Sequence, residues 1–118
     1  MPKIWSNWLL DLWIDFCSLV FRRNITFTGF TLSSKIICIK KSAVKNPYAV
    51  SHELVHAEQC QLEGNVFKWR IKYFWQLIRH GYSKNSYEIE AFQKMYEYKY
   101  VLQAFEVIKN YANANVKK

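Results

Sequence analysis

The stretch from Asn46 to Gly64, NPYAVSHELVHAEQCQLEG, constrains this chain more than any other, because residue types that start and stop a helix mark both of its ends. Asn46 suits the capping position, Pro47 the first turn, and Gly64 the left-handed residue just past the end. Between them His52 and His56 stand four residues apart, one helical turn above each other on one face. Glu53 is rotated from His52 by about 100°. A fold for this sequence must place that helix where two imidazoles and a carboxylate are tolerated.

The flanking segments supply the frame. In NITFTGFTLSSKIICIKK, Ile25, Phe27, Ile37 and Ile39 alternate with other residues, and Gly29 and Ser33-Ser34 offer turn chemistry. This spacing predicts a hairpin over 24–40, with short antiparallel strands at 24–30 and 35–40. Residues 1–22 read as an amphipathic helix. Trp5, Trp8, Leu9, Leu12, Phe16, Leu19 and Val20 fall on one side, and Asn7, Asp11, Asp15 and Ser18 on the other. The expected role is a helix packed on the domain through its Trp-rich face; the alternative is docking of that face on a membrane surface or a protein partner. Asp11 and Asp15 interrupt the apolar run and no small-residue cleavage site follows, so neither a spanning helix nor a signal peptide is expected. Cytoplasm or virion is the expected location.

Downstream, 65–79 carries Phe67, Ile71, Phe74, Trp75 and Ile78 on one stripe, which predicts a core face. RHGYSKN is a loop, and a long helix is expected over 86–109. The sum is an α+β class chain, mostly helical, with one short two-stranded antiparallel element before the 46–64 helix and further helices to about 109.

With 118 residues, 51% hydrophobic and 18% aromatic, the chain suits a single domain over 1–118. The net charge of +8 is spread in runs no longer than pairs such as Lys40-Lys41, so nucleic-acid binding is not expected. Cys17, Cys38 and Cys60 are odd in number, far apart and in no C-x-x-C pair, which reads as buried thiols rather than a disulfide frame.

H-E-x-x-H on a helix lets both imidazoles reach one zinc ion while the glutamate stands beside a water as general base. A catalytic zinc needs a third protein ligand and one open position. Glu88 and Glu90, in YEIEAF, are two residues apart and cannot both face the histidines. Glu88 shares its face with Ala91, Phe92 and Met95, and Glu90 with Gln93, Lys94 and Glu97. A carboxylate on the buried side needs a partner or a metal, so Glu88 is the expected third ligand and Glu90 the weaker alternative. Asn85 followed by Glu88 also has the form of a capping box, which would turn the Glu88 carboxylate back on the helix start.

H-E-L-V-H followed by E-x-E-A resembles the glutamate-zincin superfamily, including the thermolysin and CaaX-prenyl-protease types. It is most similar to small stand-alone metallopeptidase-like proteins of bacterial and phage genomes, which pair H-E-L-x-H-x-x-Q with a GY…N-x-Y/F-E-x-E-A segment. Those pieces are His52–Gln59 and Gly81–Ala91 here. The resemblance implies a minimal zincin-like domain with one Zn2+, held by His52, His56 and Glu88, with Glu53 as base and a peptide or protein as substrate. It implies pairing of the substrate backbone with the strand before the metal helix, 35–40, and a transition-state donor for which His80 and Tyr82 are the candidates. Many relatives carry an Asp directly after the Ala, where it orients a histidine; this chain has Phe92. The small size leaves a second reading, a catalytically silent zincin-like structural or binding module, as in a phage virion.

Overall fold

The computed structural model describes residues 2–21, 29–81 and 84–116. The order of elements is β1 (Lys3–Trp5), α1 (Trp8–Phe21), β2 (Gly29–Ser33), β3 (Ile36–Ile39), a 3-10 turn (Lys41–Ala43), α2 (Pro47–Glu63), α3 (Val66–His80), α4 (Ser86–Lys94) and α5 (Tyr98–Val116). The class is α+β. The small sheet is mixed and three-stranded, in the order β1-β3-β2, where two antiparallel strands were expected. β1 pairs with β3 in parallel, Ile4 opposite Ile37, and β2 pairs with it antiparallel, Phe30 opposite Cys38. Among the described residues β3, within the 35–40 segment, is therefore the central strand and β2 an edge. Residues 24–28 of the expected first strand lie outside the described residues. Gly29 is not a turn residue but part of β2, where an added Cβ would stand 2.3 Å from the Cys38 carbonyl oxygen.

α2 is the hub. Asn46 caps it by accepting from the Tyr48 amide at 3.0 Å, and Gly64 closes it at φ 78°. The helix packs against β2, β3, α3, α4 and α5, so Val50, Leu54 and Ala57 join Ile4, Ile37, Ile39, Ala104 and Val107 in one core.

The last helical segment divides where one helix over 86–109 was expected. The Ser51 hydroxyl donates to the Met95 carbonyl at 2.6 Å, taking an acceptor that an unbroken helix would use. The chain bends at 95–97, and Tyr100 and Val101 both donate to the Glu97 carbonyl to start α5.

Two apolar faces are turned the other way from expectation. In α1, Ile14 is buried and Asp11 accepts from the Lys41 amide at 3.1 Å, while Trp8, Leu9, Leu12, Trp13 and Phe16 are 53–63% exposed. Trp5 belongs to β1. In α3 the stripe Phe67, Ile71, Phe74, Trp75 and Ile78 is 49–79% exposed, and the inward face is Trp69 with Tyr73. The reason is what α3 meets: it closes over the histidines of α2, and flat aromatic rings fill that space. Cys38 and Cys60 are free, buried thiols, as expected; the Cys17 side chain lies outside the described residues. Among the described residues, no helix is long and apolar enough to cross a membrane.

Gly29→Ala forces backbone against backbone in the sheet that supports α2. It should lower unfolding stability by about 1–3 kcal/mol, read from urea denaturation against the parent chain.

Candidate metal centre

Three elements deliver the site. α2 brings His52, Glu53 and His56, whose ligand atoms all lie within 4.8 Å of one another. α4 brings Glu88, 3% exposed, and α3 brings Tyr73. A single oxygen of Glu88, Oε1, lies 2.9 Å from His52 Nε2 and 2.6 Å from His56 Nε2. Its second oxygen accepts from the Tyr73 hydroxyl at 2.7 Å.

Both oxygens of Glu88 are engaged away from its own helix start, which Asn85 caps. Asn85, fully buried, accepts from the Tyr87 amide at 3.0 Å and donates to the Tyr73 carbonyl at 3.2 Å. The Glu88 carboxylate is thus turned to the imidazoles and not back on its own helix. Glu90 is placed elsewhere. It accepts from Gln59 Nε2 at 2.9 Å and lies 3.7 Å from Lys94.

Gln59 makes the connection between α2 and α4. Its Oε1 is 2.9 Å from His56 Nδ1, and its amide nitrogen donates to the Tyr87 carbonyl as well as to Glu90. Because Gln59 Oε1 can only accept, Nδ1 of His56 carries a proton, and Nε2, which faces Glu88, is the nitrogen that could hold a metal. His52 lacks such a clamp. Its Nδ1 is buried with no hydrogen-bond partner among the described residues, and the Phe92 ring packs on the imidazole with centroids 4.5 Å apart. Aromatic packing therefore orients His52.

Glu53 is buried. Its Oε2 accepts from the Thr31 hydroxyl of β2 at 2.9 Å, and the same hydroxyl lies 3.1 Å from the Glu53 carbonyl. The edge strand thus fixes the carboxylate.

The electrostatics follow from one buried negative charge between two imidazoles. Burial opposes the imidazolium of His56, but the hydrogen bond and charge of Glu88, with smaller help from Glu53 and Gln59, outweigh it and push His56 up to about 9. Burial would raise the Glu88 carboxyl, yet hydrogen bonds and charge from both histidines hold it well below the usual carboxylate range. Cys38 is pushed up to about 11 by burial and by Glu53, which leaves it a neutral thiol behind the site.

The donor set fits a zinc ion: two imidazole nitrogens and one carboxylate oxygen converge from two helices, the combination used by catalytic zinc. The buried carboxylate also needs a cation, and in the metal-free chain the proton on His56 serves that need.

Among the other expected site residues, His80 ends α3 and is exposed, and Tyr82 lies outside the described residues. Tyr73 was not anticipated. Its signal was present as a hydroxyl-bearing aromatic one turn after Trp69, on the face opposite the more conspicuous stripe.

No family model matches the chain, and no match emerges among curated proteins or solved structures.

Two outcomes are expected. Tyr73→Phe should weaken zinc binding about 10–100-fold, measured by competition with a chelating dye. In the metal-free chain, the raised His56 contributes stability that is full below about 6.5 and lost as pH rises through about 9. The lowered Glu88 contributes stability present above about 4.5 and lost on further acidification. Thermal midpoints in chelator should thus be highest between those limits and fall on the alkaline side. Zinc must displace the His56 proton, so its apparent affinity should rise from pH 6.5 to 9, read by calorimetry.

Proposed function

We propose that this chain is a minimal zinc-dependent metallopeptidase, with His52, His56 and Glu88 as the ligands and Glu53 as the general base. The observation that carries the reading is the convergence of two imidazole Nε2 atoms from α2 on one buried carboxylate oxygen from α4, with a second buried carboxylate alongside. A zinc ion held by His52, His56 and Glu88 would supply Lewis acidity to a water and to the scissile carbonyl.

The chain's own residues do the rest. Glu53 accepts the water proton and returns it to the leaving amine, a role that needs a carboxylate held still. Thr31 does so by fixing Oε2, which leaves Oε1 to carry the proton. Gln59 holds His56 in the ligating tautomer. Tyr73 occupies the second oxygen of Glu88 and so directs Oε1 to the histidines. An extended peptide would lie along β2, which is at the edge of the sheet and carries Thr31 next to Glu53. This replaces 35–40 as the docking strand, because β3 has neighbours on both sides.

The second reading is a zincin-like binding module without turnover. The two readings separate in one set of measurements. Elemental analysis should give one zinc per chain, lost in His52→Ala and His56→Ala. Glu53→Gln should keep the metal while peptide cleavage, followed by mass spectrometry on a mixed peptide library, drops by about 10²–10⁴-fold. Full metal content with no cleavage by the parent chain would assign the module instead.

A further inference from the structure

α3 presents a surface that the metal centre does not use. Phe67, Ile71, Phe74, Trp75 and Ile78 form a continuous stripe along the full helix, 49–79% exposed. With about 100° between successive residues, Lys68, Lys72 and Arg79 all fall on the Trp75 border of that stripe. Arg79 lies over the Trp75 ring at 5.9 Å, and Lys72 reaches Glu63 at 2.9 Å. α3 contains no acidic residue, and the chain as a whole carries +8. An exposed stripe of Phe, Trp and Ile edged by cations is the pattern of a helix lying in the interface of an anionic bilayer.

We infer that α3 docks the protein on an anionic lipid surface, with the Phe67–Ile78 stripe in the acyl boundary and Lys68 and Arg79 at the headgroups. Charge decides between occupants. An isologous pairing of two copies through this stripe would set basic border against basic border, with no acid on either α3 to compensate. α1 also exposes an apolar face, but its sequence holds Asp11 and Asp15 and neither Lys nor Arg, so the same charge argument does not extend to it. The inward face of α3, Trp69 and Tyr73, remains on the histidines, so docking leaves the metal centre assembled. The inference does not rest on the peptidase reading.

The test is flotation of the full-length chain with vesicles of phosphatidylcholine alone or with added phosphatidylserine, with and without chelator. Binding is expected only to the anionic vesicles, independent of chelator. It should weaken strongly between about 0.1 and 1 M salt, as the screening length falls from about 10 to 3 Å. Lys68→Glu with Arg79→Glu should lower partitioning by roughly tenfold or more. Ile71→Glu with Ile78→Glu should abolish it, with unchanged circular dichroism showing an intact fold. Leu9→Glu with Leu12→Glu on α1 should leave it intact. Absence of flotation with anionic vesicles at low salt overturns the inference, as does binding that survives both α3 variants or is lost only in the α1 variant. A dimer in light scattering that the α3 substitutions dissociate, without vesicle binding, would assign the stripe to a second copy.

Discussion

A carboxylate kept from water between two imidazoles is the interaction on which the other features of this molecule depend. Glu88 is far too buried to be left without a positive partner, and both available partners come from α2. The position of α4 against α2 is therefore dictated by charge as much as by apolar contact. α3 follows, because Tyr73 must reach the remaining oxygen and Trp69 must cover His56. The helices around the site are arranged to satisfy one anion.

The supports of that arrangement are spread widely in sequence. Ser51, one residue before His52, captures the Met95 carbonyl and so ends the helix that carries Glu88. Thr31, in the sheet, holds Glu53. Gln59, one turn after His56, binds both the histidine and the backbone of α4. α2 thus organises the site through residues on several of its faces, which is why it is buried almost all round and shows little amphipathic character. A helix whose neighbours include a sheet and three other helices has no solvent face to advertise.

What the sequence made legible was local. The ends of α2 are set by Asn46, Pro47 and Gly64, whose effects act within a turn, and both ends fall where those residues place them. The burial of Glu88 beside Ala91 and Met95 follows from the 3.6-residue period alone. What escaped depends on distant partners. β1 is three residues long and exists because β3, over thirty residues away, offers it a parallel edge. The break at 95–97 needs Ser51, forty-four residues earlier. The outward stripe of α3 is misleading for a different reason: hydrophobic periodicity finds the most apolar face, and here that face is not the one the core uses. Tyr73 and Trp69, fewer and more polar, have the inward position. The same is true of α1, where the side bearing Asp11 meets the body of the protein.

The brevity of α4 gives the centre a further meaning. A nine-residue helix has little stability of its own, and its polar attachments to α2 include Glu88, the Tyr87 carbonyl and hydroxyl, and Glu90. Docking of α4 and completion of the ligand set are thus a single event. By mass action, a cation that prefers the completed set holds the helix in place. Were such an ion bound as proposed, its supply would also set how long the chain resists unfolding and proteolysis.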